Sequence, residues 1–307
     1  MINDLIIIGG GPAGVSAGIY AARKKLNTLL ITPDFGGQST VSEGIENWIG
    51  TIKISGQQLA ENLKKHIVAY AGDSVKILEG EYVQDIKKSE TGFIVITDKN
   101  QFETKTILIA TGSSRRKLEI PGAEKFDNKG VTYCASCDGP LFGDQDVVVV
   151  GGGNAALESA AQLLAYCKSV TLLNRSDVVR GDEITIAKLS ENPNFKIIKN
   201  AVPFEIKGDV FVSGIVYEDV NTKEKHEIQT PAVFVEIGLI PATSFAKNIL
   251  TLNNYNQIPI NPSNQQTGIS GIWAAGDCTD ALYHQNNIAA GDAVRALEDI
   301  YIWLKTK

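Results

Sequence analysis

The sequence is poor in what would take it to a membrane or a nucleic acid. It has no run of about eighteen apolar residues, the length a bilayer-crossing helix needs, so no transmembrane span is expected. Its 29 Lys and Arg are outnumbered by 35 Asp and Glu, and the net charge of −6 gives no general attraction to polyanions or anionic lipid. No secretory leader is expected: Asp4 precedes the apolar Ile6-Ile7-Ile8, no basic stretch leads it, and glycines follow at once. The reading is a cytoplasmic protein with no nucleic-acid or membrane partner. Histidine is scarce as well, since only His66, His226 and His284 occur, far apart. The four cysteines offer one close pair, so the ligands of a structural zinc are not assembled and no metal is expected. No segment is of low complexity.

What is present is enough for two domains. The chain has 307 residues, and 43% of them are hydrophobic. Asp4 to Ile8 reads as a buried strand, Gly9, Gly11 and Gly14 form G-x-G-x-x-G, Val15 to Lys24 reads as a helix, and Thr28 to Thr32 as the next strand. In that setting Gly9 permits a tight turn, Gly11 admits a pyrophosphate to the backbone, and Gly14 lets helix pack on strand. The helix start then offers unpaired N–H groups to phosphate. The acidic residue that usually closes the second strand is missing, because Thr32-Pro33-Asp34 stands there. About 140 residues later the pattern returns as Val147 to Val150 and Gly151, Gly153 and Ala156, an internal repeat that implies two related nucleotide folds.

Between the copies, Ser55 to Tyr70 reads as an amphipathic helix with Ser55 as its cap. Val75 to Lys87, Phe93 to Thr97 and Phe102 to Lys105 read as a small antiparallel sheet, Thr106 to Gly112 as a buried strand, and Ser113 to Pro121 as a linker with solvated Arg115, Arg116 and Lys117. Beyond the second loop the pattern gives a helix over Ala155 to Cys167 and a strand over Ser169 to Leu173. It then gives a turn at Gly238 to Pro241, strands at Gln257 to Ile260 and Ile272 to Ala275, and a closing helix over Ile288 to Leu304 with an exposed Trp303.

Just before the second loop stands Val131-Thr-Tyr-Cys-Ala-Ser-Cys-Asp-Gly139. In a reducing compartment a Cys-x-x-Cys pair is more often redox-active or metal-binding than structural. Cys134 and Cys137 are therefore the candidate redox pair, and the adjacent Asp138 is the candidate proton donor and acceptor, with a plain turn residue as its alternative. Cys167 reads as core, on an apolar helix face, and Cys278 as structural.

These stretches, with Gly36-Gly-Gln38, Glu46-Asn-Trp48, Ala110-Thr-Gly112 and Gly276-Asp-Cys278, resemble the low-molecular-weight thioredoxin reductase family over nearly the full chain. The chain is also similar to the flavoprotein component of alkyl hydroperoxide reductase, without that protein's extra N-terminal redox domain. The resemblance implies an α/β fold of two Rossmann-like (ββα-type) nucleotide-binding domains. An FAD domain, 1–114 and 245–307, would be interrupted by an inserted NAD(P) domain, 115–244, that carries the redox cysteines. It implies a homodimer whose domains rotate about Ser113–Leu118 and Ala242–Phe245. FAD would be held by Gly9, Gly11, Pro12, Ala13, Gly14, Gly37, Gln38, Asn47, Ala110, Thr111, Gly112, Gly276, Asp277 and Gln285. NAD(P) would be held by Gly151, Gly153, Asn154, Ala155, Ala156, Arg175 and Arg180. Electrons would pass from NAD(P)H through FAD to the cysteines, Cys137 facing the flavin, and from Cys134 to the disulfide of thioredoxin or a glutaredoxin-like protein.

Two places depart from the pattern. Where NADPH-using relatives show His-Arg-Arg-x-x-x-Arg, this chain has Asn174-Arg-Ser-Asp-Val-Val-Arg180; where they show Arg-Gln-Ala, it has His284-Gln-Asn286. A 2′-phosphate wants forked guanidinium donors, and NADH wants a carboxylate at the strand end. NADPH is the expected donor on Arg175 and Arg180, with NADH admissible. The alternative is a flavin-dependent dithiol oxidase or a ferredoxin-dependent thioredoxin reductase that does not use NAD(P)H.

Overall fold

The computed structural model describes residues 2–42 and 44–306. In chain order the elements are β1 (Asn3–Ile8), α1 (Pro12–Arg23), β2 (Thr28–Thr32), α2 (Gly56–Ala71), β3 (Val75–Glu79), β4 (Val83–Ser89), β5 (Gly92–Thr97), β6 (Gln101–Ile109) and β7 (Ser113–Arg115). Next come β8 (Val131–Thr132), α3 (Ala135–Asp138), β9 (Asp146–Val150), α4 (Asn154–Leu163), β10 (Ser169–Leu173), α5 (Glu183–Ser190) and β11 (Phe195–Ile198). The chain closes with β12 (Ala201–Gly208), β13 (Val212–Asp219), β14 (Lys225–Gln229), β15 (Val233–Val235), β16 (Leu239–Pro241), β17 (Ile272–Ala274) and α6 (Asn286–Thr306). Two units result, one running to Ser114 and resuming at Ile240, the other Arg115–Leu239.

The first unit is built on β1. Its Leu5, Ile6, Ile7 and Ile8 are all buried, as a central parallel strand covered on both faces requires. Strand period two sorts them: Leu5 and Ile7 join Leu63 and Ile67 of α2 and Leu297 of α6, while Ile6 and Ile8 join Ile86, Phe93 and Ile258 on the other face. Each such side chain contributes about 1.5–3 kcal/mol of burial. The sheet order is β3-β2-β1-β6-β5-β4, with β17 also beside β6. The first four and β17 are parallel, and β4 and β5 form an antiparallel extension. Ser55 caps α2, its Oγ accepting from the Gln58 N–H at 3.2 Å.

The second unit repeats the plan. Five parallel strands run in the order β11-β10-β9-β15-β8. Val147 and Val149 face Leu157 and Leu163 of α4, and Val148 and Val150 face Ile206 and Ile215 of a separate antiparallel sheet, β12-β13-β14.

Several local expectations are corrected. Phe102–Lys105 and the strand from Thr106 are one strand, β6, because no glycine or proline separates them. Its first half pairs with β5 and its second half with β1. The stretch from Val75 to Lys87 is two strands, broken at Gly80, whose φ of 83° turns the chain. Gln257 to Ile260 makes a single bridge, Ile258 to Thr279, and no strand. The helix that begins the second copy ends at Leu163, ahead of Cys167. Trp303 is partly buried and meets Trp273 edge-on at 6.0 Å. Gly238, at φ 106°, turns the chain early, so that β16 follows and pairs with β7. The second change of unit therefore falls at 239/240, where the sequence expectation has 244/245.

Candidate functional site

Three places come forward, each built from a strand end. At the first, a cavity of about 380 Å³ opens at the carboxyl ends of β1 and β6. Of the expected residues Gly9, Gly11, Pro12, Ala13, Gly37, Gln38, Ala110, Thr111, Gly112, Gly276 and Asp277 line it. Gly14 stands behind the lining, and its role is visible in what a Cβ would meet: Gly9 O at 1.8 Å. A Cβ on Gly9 would meet Ala110 O at 2.2 Å, at a φ of 122° that also favours glycine. Gly11 differs, because a Cβ there meets nothing within 4 Å and its φ of −77° suits any residue. The chain itself makes no demand for glycine at that position. The open backbone beside a helix start fits a pyrophosphate.

Asp277 accepts from Gln38 Nε2 at 3.2 Å, and the same amide donates to Ser113 Oγ at 3.0 Å. Asn47 and Gln285 lie off the lining but meet each other, Asn47 Nδ2 donating to Gln285 Oε1 at 3.1 Å. Asn287 pins the same loop: its amide donates to Asn47 O at 2.7 Å and accepts from the Ile49 N–H at 3.3 Å. Asn286 lines the cavity and pairs with Ser39. Asp34, which the sequence offers at the end of the second strand without a firm role, lines it too, as does the segment Glu81-Tyr82-Val83, which the sequence reading missed. Glu81 is 5% exposed, and its carboxylate accepts from Thr97 Oγ1 at 2.6 Å and Asn100 Nδ2 at 2.8 Å. No motif marks that segment; sheet topology alone brings it there.

The second place is the loop after β9. A Cβ on Gly151 would meet Glu236 O at 2.4 Å, and one on Gly153 meets nothing, which reproduces the logic of the first loop. Asn154 Oδ1 accepts from the Asp182 N–H at 2.7 Å, and the Arg180 N–H donates to Gly152 O at 2.7 Å, which fixes Arg180 beside the loop. Ala155 and Ala156 lie in the first turn of α4, with Ala156 fully buried. Arg175 and Arg180 are exposed. Asn174 is 3% exposed and turns inward, donating to Ser176 O at 2.8 Å and Val178 O at 3.0 Å. Ser176 Oγ donates to Val178 O at 2.8 Å. Both residues that replace the relatives' basic groups are thus engaged in shaping their own turn.

The third place is the cysteine pair. Cys134 and Cys137 form a disulfide with Cα atoms 5.3 Å apart. The short α3 allows it: Cys134 O accepts from the N–H groups of Cys137 at 3.3 Å and Asp138 at 3.0 Å, closing one turn. Thr132, buried at the end of β8, donates its hydroxyl to the Asp138 carboxylate and accepts from the Cys134 N–H at 3.4 Å. One hydroxyl therefore ties the acid to the first cysteine. Cys167 and Cys278 are buried, and burial pushes both thiols up to about 11, so neither is a thiolate at neutral pH. Among the described residues no group of three or more His, Cys, Asp or Glu could hold a metal, and no helix is long and apolar enough to cross a membrane.

The fold and the pair define a protein of two Rossmann-like units with a Cys-x-x-Cys disulfide. The pyridine nucleotide-disulphide oxidoreductase family model matches residues 3–293, and the chain belongs to that family. The structure is similar to a thioredoxin reductase from Streptococcus pyogenes MGAS5005 (34% identity, TM-score 0.89, covering 100% of this chain and 99% of that one). It is similar to that from Giardia duodenalis at 31% identity and a TM-score of 0.89, over 99% of both chains. Among curated proteins it is 40% identical over 294 residues to a component of the alkyl hydroperoxide reductase of Staphylococcus epidermidis, covering 95% of this chain and 57% of that protein. The chain thus spans a little over half the length of the curated relatives it matches.

Proposed function

We propose that this protein is a flavoprotein disulfide reductase that passes electrons from NAD(P)H through FAD to the Cys134–Cys137 pair and on to the disulfide of thioredoxin or a glutaredoxin-like protein. The observation that carries the reading is the Cys134–Cys137 disulfide with Asp138 tied to Cys134 through Thr132, in a chain that repeats the open-glycine loop at Gly11 and Gly153. We assign FAD to the first unit's cavity, with Asp277 accepting from its ribityl hydroxyls and Asn47 and Gln285 toward its ring. We assign the dinucleotide to the Gly151–Ala156 loop. Bound flavin would supply the two-electron relay between nicotinamide and sulfur. The chain's own chemistry is thiol–disulfide exchange. Cys134 as thiolate attacks the partner disulfide and forms a mixed disulfide. Cys137 then displaces the partner's second thiolate and restores the Cys134–Cys137 bond, and Asp138 carries the protons that enter and leave. A homodimer in a reducing cytoplasm is part of the same proposal.

The deciding experiment mixes purified protein anaerobically with NADPH and with NADH. We expect a yellow protein with one FAD per chain whose colour bleaches rapidly with at least one of them. A colourless protein that takes up no FAD ends the reading. Bleaching by neither, while reduced ferredoxin or a dithiol succeeds, favours the alternative reductase or oxidase, which the altered Asn174–Arg180 turn makes worth testing.

NADPH is expected to be preferred over NADH, by less than in relatives with the full arginine set. Arg175 and Arg180 are available to a 2′-phosphate, but Ser176 already donates its hydroxyl to Val178 O. One charged hydrogen bond is worth roughly 1.5–3 kcal/mol, about ten- to a hundredfold of discrimination. Asn174, turned into its own loop, neither rejects that phosphate nor replaces the ribose-binding carboxylate. The test compares kcat/KM for both cofactors in wild type, Arg175→Ala and Arg180→Ala. Preference for NADH in wild type, with no selective loss of NADPH use in either variant, overturns the assignment.

A further inference from the structure

Glu236 is a largely buried carboxyl that none of these roles uses. It directly follows β15, which runs parallel to β9 with Val235 opposite Val150. Glu236 therefore stands level with Gly151, and its N–H donates to Val150 O at 2.8 Å. Its carbonyl oxygen lies 2.4 Å from where a Gly151 Cβ would be. β15 and β10 flank β9 on opposite sides. In an open parallel sheet a dinucleotide lies across the carboxyl ends of the strands at such a switch point. If the turn after β10, Asn174 to Arg180, holds the phosphate-bearing nucleoside as proposed, the nicotinamide nucleoside would cross to the β15 side, where Glu236 stands.

The side chain is fixed but only half used. Oε1 accepts from Ser159 Oγ at 2.8 Å and lies 3.7 Å from Arg115 Nη1. Oε2 has no partner among the described residues, and the side chain keeps 14% exposure. Burial holds the carboxyl above its ordinary pKa, against the pull of Arg115 and Ser159. A carboxyl oxygen accepts from the NH2 of a primary amide whether or not the group is ionised, and a protonated carboxyl also donates to the amide carbonyl, so Oε2 suits a primary amide in either state. The nicotinamide ring has one polar substituent, and it is a primary amide. We propose that Glu236, oriented by Ser159 and Arg115, binds the carboxamide of the nicotinamide ring and so recognises the reactive end of the dinucleotide. This rests on the reading that the second unit binds NAD(P)H.

The experiment titrates FAD-loaded wild type, Glu236→Ala and Glu236→Gln by calorimetry with four ligands: NADP⁺, NAD⁺, and their nicotinamide-free counterparts 2′-phospho-ADP-ribose and ADP-ribose. Glu236→Ala is expected to weaken the intact dinucleotides about tenfold and to leave the truncated ones within about twofold. Glu236→Gln, which also donates and accepts, restores most of the loss. Equal weakening of intact and truncated ligands, or no change for either, overturns the proposal, since Glu236 then only shapes the loop or does nothing there. A wild type that binds none of the four overturns the nucleotide reading itself, and this inference with it.

Discussion

Cys134→Ser and Cys137→Ser are each expected to lower disulfide reduction by about three orders of magnitude or more, because the two sulfurs act as one unit. No other sulfur can stand in. Cys167 and Cys278 are buried, with thiols pushed up to about 11, and neither lies in the strand-end turn that joins the pair to Asp138. The two variants are expected to differ in colour. On the proposed roles, in which Cys137 is the sulfur that meets the flavin, Cys134→Ser keeps that thiolate and is expected to show a long-wavelength charge-transfer band. Cys137→Ser removes that thiolate and the band with it. Absorbance spectra of the two purified variants, alongside turnover of a thioredoxin, measure both effects. A band in Cys137→Ser alone reverses the two roles, and retained turnover in either variant would falsify the dithiol mechanism.

Gly11→Val and Gly14→Val are expected to fail in different ways, although both sit in one motif. A side chain at Gly11 enters open space at an ordinary φ of −77°, so the first unit folds and the added bulk intrudes on the cofactor's cavity. Forced overpacking costs typically about 1–3 kcal/mol, or about five- to 150-fold in FAD affinity, and more where the obstructing atoms belong to a helix start that cannot yield. The protein should purify folded and largely colourless. At Gly14 the added Cβ lies 1.8 Å from the Gly9 carbonyl oxygen, a backbone atom of the adjoining turn. Helix and strand must then separate, so the first unit loses stability before any question of cofactor arises. Thermal unfolding by circular dichroism and the ratio of FAD to protein distinguish the cases. Wild-type FAD content in Gly11→Val would show that nothing approaches that backbone, and the FAD assignment would fall.

The fold class was legible because it follows from local rules. Leu5 to Ile8 and Val147 to Val150 are apolar on both faces, which only a covered parallel strand tolerates, and each runs straight into glycines. Boundaries were less legible where one strand changes partners. β6 reads as two segments because its first half has one covered face and its second half two, a difference set by neighbours far along the chain. The arginine turn was not legible in the sequence either. The sequence shows that Asn174 and Ser176 replace basic residues, but not that both are spent on backbone carbonyls.

By itself the sequence determined what short spacing determines: two strand–glycine–helix starts, a cysteine pair two residues apart and an adjacent carboxylate. These depend on backbone geometry over a few residues, and residue type reports it. Tertiary structure alone decided which distant groups share a place. Glu81 reaches the first cavity, Gln38 joins Asp277 to Ser113, Thr132 ties Asp138 to Cys134, and Glu236 stands level with Gly151 beside Ser159. The physical reason is that strand order and register bring these residues together across separations of up to 239 positions. A hydrogen bond requires only that its two groups meet, and it leaves no periodic mark on the sequence.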